Sequence, residues 1–541
     1  MMMKGRLRMI KSLRNESGVI LVLSAMSLVV LLGIAAFAVD LGWIAYNGLE
    51  ARKTAEAGAL AGVVHMPLPG CADPTVGTDP YDVAIDTAGR NGYTAANGDT
   101  VTPANGGTCA RLKVTVSRTI PTFFMKVFGY SSLTVAESAT AEQLPPLRIG
   151  SDEPYLGEDP TVSGRNRNFF VAISGEDRSK NQGDAVAAQS RNGGGSNPEY
   201  EVPSYYYAFE IPAGSSLIGS PVYVQAYDPQ AHDAGGQGSG GPNDNTNDWV
   251  YPDPGAGVAD DGWDSKTRFR VYAPDSTPNQ WKDNSTLASG GCDDTYRGRS
   301  DSAGQENAAY NSAWEDTWVN LCSFTPGGSG TYVIEISSDY GASDGTDMIN
   351  GFSLRGSTNG GSGSGGAVAS TNDLQVYGLG SMSLWQFDTG SNPVFKVARV
   401  DDVYAGSSLI ISLWDVSDIG SSATIDFVGT TWQSGSEIDC QMRVLGDNVD
   451  VLGNNIPSGA TWGSDSGGAG CRLSFNSGQY NNEWVQFKFD IPSTYTCGPG
   501  SGSSPASPGC WMFVSYSVSG SITDRTVWAA SINGQPIHLI P

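Results

Sequence analysis

From Gly18 to Val39 the chain is an almost unbroken apolar run, ended by Asp40 and preceded by Lys4, Arg6, Arg8, Lys11 and Arg14. At about 1.5 Å per residue such a helical run crosses the roughly 30 Å hydrocarbon core of a bilayer; the apolar part of a secretory signal is only about 7–15 residues. The pattern predicts a membrane-spanning anchor over 18–39, a cytoplasmic basic segment over 1–17, and translocation of everything that follows. Helical character continues through DLGWIAYNGLEARKTAEAGALAGVV, so 40–65 reads as an extension of the same helix. Along it Ala51, Ala55, Gly58, Ala59 and Gly62 recur at spacings of three and four and make one very small face. That face suits close approach by a partner helix or packing against the chain's own next domain; Arg52, Lys53 and Glu56 in the same stretch leave both readings open.

Past the helix the dominant period becomes two. RLKVTVS at 111–117 alternates as a strand, with Leu112, Val114 and Val116 facing a core. PTFFMKVFG at 121–129 reads as a short amphipathic helix whose Phe123, Phe124, Val127 and Phe128 would cover that core. Residues 66–144 thus make a small α/β membrane-proximal domain, and Pro145 and Pro146 open a linker over 145–160. Beyond it, runs such as YYYAFEI, PVYVQAY, TYVIEIS and WVQFKFDI alternate between clusters of Gly, Pro and Asn. This is the pattern of antiparallel β-sandwiches, so the fold class is mainly β.

A repeat runs through these strands. AGSSLI occurs at 213–218 and 405–410, and Tyr227-Asp228 parallels Trp414-Asp415. RFRVY at 268–272 parallels QMRVL at 441–445, Gly291-Cys292 parallels Gly470-Cys471, and Trp318-Val319 parallels Trp484-Val485. Asp347 with SLRG at 353–356 parallels Asp524 with SING at 531–534. The matches predict two homologous, jelly-roll-like sandwiches over 161–356 and 372–541. The Gly/Ser-rich segment 357–371 should act as a flexible tether that lets them move independently.

Composition agrees with an exported protein. The net charge is −25, and it is −29 once the four net positive charges of the first 17 residues are set aside, which disfavours nucleic acid as a partner. Charged residues are 16% and there are 70 glycines, yet 13 Trp, 22 Tyr and 17 Phe supply enough apolar area for real cores, so the chain is not a disordered tail. The eight cysteines lie outside the apolar span with no CxxC. Sequential pairing, Cys71/Cys109, Cys292/Cys322, Cys440/Cys471 and Cys497/Cys510, is the simplest of many connectivities and implies an oxidising compartment.

The basic N-terminus, the glycine-opened anchor, AFAVDLGWIAYNGLEARKTAEAGALAG, the strand VTV, then PTFF, VFG and SLTVAESATA together resemble the N-terminal module of TadG-like proteins of bacterial tight-adherence (Tad/Flp) pilus systems, over about residues 14–142. The resemblance implies an anchor and assembly element, brings no catalytic residues, and implies pilins or pilus-assembly proteins as partners. Gly5 and Gly18 do not sit in a prepilin-type site, so no such cleavage is expected. Some family members carry a von Willebrand A-type domain whose metal site begins DxSxS. Here Asp415 and Ser417 are followed by Ile419, which breaks that motif.

No catalytic constellation emerges, and the chain is not expected to be an enzyme. His65, His232 and His538 are far apart in sequence, and GASDG at 341–345 lacks the following helix of a nucleophile elbow. No cofactor is implied. The acidic stretch 228–264, with Asp244, Asp248, Asp260, Asp261 and Asp264, is a solvated loop or holds one or more structural calcium ions. Trp249, Tyr251 and Trp263 there are contact anchors or caps of a sandwich edge. The expected function is that of a membrane-anchored, exported structural or adhesive protein of Tad/Flp pilus assembly. The alternative is a surface-anchored carbohydrate-binding protein or hydrolase, with surface glycans as partners and exposed aromatics or a titratable cleft as its mark.

Overall fold

A computed structural model of the chain describes residues 16–66, 74–75, 77, 79–108, 110–151, 155–157, 169–174, 180, 183–187, 197, 204–229, 249–250, 266–275, 284–287, 291–293, 295–298, 314, 317–338, 348–358, 360, 374–386, 394–417, 419–430, 432, 438–446, 461–464, 470–498, 500, 504–519, 525–532 and 537–540. They form two compact units. One comprises Met1–Met66, Asp73–Gln143 and Ile537–Pro541, the other Pro67–Ala72 and Leu144–Pro536.

In the smaller unit a single helix α1 (Glu16–Val63) carries both the apolar run and its extension. Helix α2 (Asp79–Arg90) follows, with Asp79 and Asp82 in its first turn and Arg90 in its last, the charge order that suits the helix dipole. The strands β1 (Thr100–Asn105), β2 (Arg111–Pro121) and β3 (Ser132–Gln143) pair antiparallel. Ala51, Ala55, Ala59 and Val63 of α1 are fully buried in one cluster with Ala84 and Ala88 of α2 and Leu112, Val114 and Val116 of β2. Close approach is possible because the face is small. A Cβ at Gly62 would stand 2.5 Å from both Leu112 Cδ2 and the Pro80 carbonyl oxygen, and one at Gly58 3.2 Å from the Ala84 oxygen. Of the two readings of this face, the structure therefore uses it within the chain's own α/β unit.

Two expectations for this region are corrected. PTFFMKVFG is not an amphipathic helix on the core: it forms a 3-10 turn, Met125–Phe128, with Phe123, Phe124, Val127 and Phe128 exposed. Because β2 continues to Pro121 and β3 begins at Ser132, the segment is a hairpin tip beyond the core that α1 and α2 already cover. The second sandwich was also expected to run to 541. Instead a strand at Ile537–Ile540 pairs with β3 in the smaller unit, His538 opposite Glu142 and Leu539 opposite Ala141. Without it β3 would be a bare sheet edge, and Ile537 packs against the same cluster as α1.

The first half of the larger unit contributes β4 (Arg148–Ile149), β5 (Tyr155–Leu156), β6 (Phe169–Ser174), β7 (Ser204–Ile211), β8 (Val222–Tyr227) and β9 (Trp249–Val250). It continues with β10 (Lys266–Tyr272), β11 (Thr295–Gly298), β12 (Trp318–Phe324), β13 (Gly330–Ser338) and β14 (Met348–Ser357). The second half contributes β15 (Val376–Leu379), β16 (Ser381–Gln386), β17 (Val394–Arg399), β18 (Ser408–Trp414), β19 (Ser422–Val428) and β20 (Gln441–Leu445). It ends with β21 (Gly463–Ser464), β22 (Arg472–Asn476), β23 (Trp484–Asp490), β24 (Trp511–Ser519) and β25 (Arg525–Ile532); the strand paired with β3 is β26.

One sheet runs β11-β10-β13-β7-β15-β4-β17-β24-β19-β22 and the other β12-β8-β14-β6-β16-β25-β18-β23-β20-β21, with β5 and β9 added on β14. Read outward from the middle, β7, β13, β10, β11 mirror β17, β24, β19, β22, while β6, β14, β8, β12 mirror β16, β25, β18, β23. Both halves share one strand order, as an internal duplication requires.

The halves are not separate bodies on a tether, however. β7 pairs with β15, Phe209 opposite Val376, and β6 pairs with β16, Val171 opposite Leu384, so both sheets and one hydrophobic core run through the junction. Joining edge strands of the two halves removes the bare edges that two isolated sandwiches would each present. Within the segment 357–371, residues 359 and 361–371 lie outside the described residues.

The aromatic-Asp, Trp-Val and Gly-Cys matches coincide with the strand correspondence, but AGSSLI does not: Leu217 and Ile218 lie in the turn before β8, whereas Leu409 and Ile410 are part of β18. Trp318 lies opposite Tyr227 and Trp484 opposite Trp414 at the ends of equivalent strands. Asp228 and Asp415 follow with φ of 49° and 59°, and their backbone N–H groups donate to the carbonyls of Thr317 and Glu483. Two further matches fail. RFRVY is β10 in one sheet whereas QMRVL is β20 in the other; β19 holds the place equivalent to β10. SLRG and SING lie on or run from equivalent strands out of register, since Ser353 faces Tyr227 while Val527, not Ser531, faces Trp414. Alternating strands of like composition align at several registers equally well, which is how these two misled.

Candidate functional site

The smaller unit contains the most unusual arrangement. Among the described residues α1 is long and apolar enough to cross a membrane, and its large apolar side chains from Val19 to Leu41 are exposed. Asp40, the first charge after the run, is nonetheless 1% exposed. Its carboxylate accepts the backbone N–H groups of Phe123, Phe124 and Met125 at 2.8, 2.9 and 2.6 Å, which fastens the β2–β3 tip to the helix. Burial pushes the carboxyl up, but the three N–H donors and the nearby Lys126 outweigh it and hold the pKa below the usual carboxylate range. The rings follow the same seam: Phe128 lies 5.8 Å from Phe37 and Phe123 lies 5.8 Å from Trp43, which stacks on Tyr46. Behind the tip, Arg118 clasps Asp99 through two bonds of 2.6 and 2.7 Å and covers Tyr93.

In the larger unit polar and aromatic groups meet on the twelve-stranded sheet. In the first half Arg355 Nε donates to Gln225 Oε1 at 2.7 Å, Gln225 donates to Asn320 at 2.5 Å, and the Arg355 guanidinium covers Trp318 at 4.2 Å. In the second, Arg443 donates to Gln486 at 2.8 Å, Gln486 donates to Ser412 at 3.0 Å, and the Arg443 guanidinium covers Trp462 at 4.1 Å. Trp414 and Trp484 lie 5.4 Å apart with their rings tilted by 55°, the buried Lys180 ammonium sits 4.3 Å from the Trp414 ring, and Trp414 donates to the Lys180 carbonyl. These rings serve packing: Trp318, Trp414, Trp484 and Trp528 are among the largest fully buried side chains, and no Phe, Tyr or Trp of this unit whose side chain is described is exposed. Trp462 is half-buried.

Of the residues singled out in the sequence, Ala51, Ala55, Gly58, Ala59 and Gly62 come together as described. Three of the sequential cysteine pairs are disulfides, Cys292–Cys322, Cys440–Cys471 and Cys497–Cys510. Cys71 and Cys109 lie outside the described residues, as do Asp244, Asp248, Asp260, Asp261 and Asp264, His232, Tyr251, Trp263 and GASDG. Trp249 lies on β9. His538 faces Glu142 at 3.5 Å across the β3–β26 pair. Asp415 accepts the Asn482 N–H at 2.7 Å and Ser417 Oγ accepts the Tyr480 N–H at 3.2 Å, so the broken DxSxS pins the turn before β23. Asp401 approaches Cys497 and Cys510, but sulfurs joined in a disulfide are not thiolate ligands. The Asp40 clamp had no signal in single-residue reading; an aspartate closing an apolar helix, with an apolar PTFF tip across a hairpin, was its only trace.

No family model matches the chain, and no curated protein does. Among solved structures it is similar to the N-terminal CBM22-1–CBM22-2 tandem domain of Xyn10C from Paenibacillus barcinonensis, at 10% identity over 81% of this chain and 92% of that one. The TM-score is 0.13, too low for the likeness to bear on fold or ligand.

Proposed function

We propose that this chain is a membrane-anchored, exported, non-enzymatic structural or adhesive protein of Tad/Flp pilus assembly, with its N-terminus cytoplasmic and its β-rich units on the other side. The observation that carries the reading is α1: an exposed apolar span runs without a break into a helix whose small face is locked into an α/β unit, which makes a stiff anchor and mount rather than a hinge. The disulfides support an oxidising, extracytoplasmic compartment. The link to the pilus rests on the resemblance over residues 14–142. Crosslinking the full-length protein in its native membranes, then identifying co-purified proteins by mass spectrometry, tests it. Recovery of pilin or pilus-secretion components supports the assembly role; their consistent absence removes it and leaves an anchored β-sandwich protein.

A further inference from the structure

We propose that the β2–β3 hairpin tip, Phe123 to Tyr130, dips into the bilayer beside α1, so that the protein holds the outer membrane interface with a second, non-helical contact. The inference rests on α1 being the membrane anchor.

Four observations carry it. First, Phe123, Phe124, Val127, Phe128 and Tyr130 are 47%, 46%, 80%, 65% and 58% exposed. A contiguous apolar surface of this kind marks a binding face rather than a soluble loop. Elsewhere among the described residues, large exposed apolar side chains are confined to α1 and three scattered positions, Val394, Val444 and Leu539. Second, the depth is fixed. Asp40 holds the tip through three backbone N–H groups. Phe37, which Phe128 touches, lies three residues inside Asp40 on α1, about 4.5 Å deeper at helical rise. Phe128 is therefore level with the apolar span. Third, Trp43, Tyr46 and Phe123 gather on the other side of Asp40, the aromatic arrangement favoured at headgroup depth. Fourth, the tip pairs backbone N–H groups at both ends of its turn, which insertion favours. The Met125–Phe128 turn is capped by Asp40 at one end, and at the other the Gly129 and Tyr130 N–H groups donate to Lys126 and Met125 carbonyls. Lys126 is the one charged residue of the tip, and its long stem lets the ammonium reach lipid phosphates.

The test uses the full-length protein in phosphatidylcholine/phosphatidylglycerol vesicles under non-reducing conditions, with unsubstituted protein labelled in parallel. Single nitroxide labels are placed by Val127→Cys at the tip, Val30→Cys in the span and Lys113→Cys on an exposed position of β2. Each is read by collision with oxygen, which concentrates in lipid, and with a water-soluble nickel chelate. The expected result is a reversal of the oxygen-to-nickel ratio at Val127 relative to Lys113, in the same sense as at Val30 and smaller. A water-like ratio at Val127 with a lipid-like one at Val30 overturns the tip contact and leaves the anchor standing. Water-like ratios at both overturn the anchor and the tip together. An immobile label at Val127 shielded from both reagents means that a protein surface, not lipid, covers the tip, and also overturns the proposal. Val127 is the most exposed side chain of the tip, so its substitution leaves folding intact.

Discussion

Three glycines of α1, Gly48, Gly58 and Gly62, differ in nothing but what faces them, and alanine at each should separate packing from helix propensity. In a helix interior Gly→Ala alone gains about 1 kcal/mol. At Gly48 the added methyl meets Glu137 Oε1 at 3.6 Å and Val135 Cγ1 at 3.7 Å, ordinary contact, so most of that gain should survive. At Gly58 it comes within 3.2 Å of the Ala84 oxygen and 3.5 Å of Val114 Cγ1; a few tenths of an ångström must be yielded, and the net should lie within about 0.5 kcal/mol of zero. At Gly62 two atoms stand at 2.5 Å, and one is the Pro80 carbonyl, a backbone group that cannot rotate away. Overpacking of that kind costs about 1–3 kcal/mol, which leaves Gly62→Ala destabilising by up to about 2 kcal/mol. Hydrogen exchange of the full-length protein in lipid nanodiscs, followed by mass spectrometry of α2 and β2 peptides, reads the series directly. Exchange should slow for Gly48→Ala, hardly change for Gly58→Ala, and quicken about tenfold for Gly62→Ala. If Gly62→Ala protects α2 and β2 as well as Gly48→Ala does, α1 does not pack there, and its small face is free for a partner helix.

Because Asp40 is the acceptor that gathers the tip, Asp40→Ala should quicken exchange most at Phe123, Phe124 and Met125 while the α2 amides keep their protection. The Arg118 bonds, against an opposing contribution from burial, hold the Asp99 pKa below the usual carboxylate range. Its stabilising contribution is therefore complete above the unfolded value of about 4 and is lost as pH falls through the lower folded value; denaturant unfolding should show that acid loss in wild type and a flatter profile in Asp99→Asn. Trp318→Ala and Trp484→Ala, truncating equivalent fully buried rings, should each cost about 3–5 kcal/mol and shift one common unfolding transition of the larger unit, since its sheets run through both halves. Two separate transitions would contradict the shared sheets. Replacing Cys440 and Cys471 together by serine should lower stability by about 2–4 kcal/mol, read as a lower denaturant midpoint.

What the sequence disclosed and what it hid have distinct causes. The long apolar helix, its extension and the small face were legible because helical spacing is local, and the strands were legible because alternation is local. The duplication was legible wherever a rare feature marked the register, such as Trp318 with Trp484 or Asp228 with Asp415, whose left-handed backbone recurs in both halves. It was illegible where only alternation was available, as for RFRVY and QMRVL. Sheet continuity through β7–β15 and β6–β16 left no trace, because edge pairing is made by backbone groups that every residue carries. The exposed tip was misjudged for a related reason: amphipathic spacing tells which residues share a face, not whether that face meets a protein core or a bilayer.

The placement of β26 has a consequence for how the protein is made. Ile537 pairs with Gln143, so the partner that completes the four-stranded sheet of the smaller unit arrives 394 residues after the strand it joins. That is an extreme loop to close, and such contacts form slowly and last. During synthesis β3 must wait, with one edge unpaired, until the whole duplicated sandwich has been made. A chain cut or stalled before β26 thus leaves an open sheet edge that proteases and chaperones can reach, and only a chain that has added β26 conceals it.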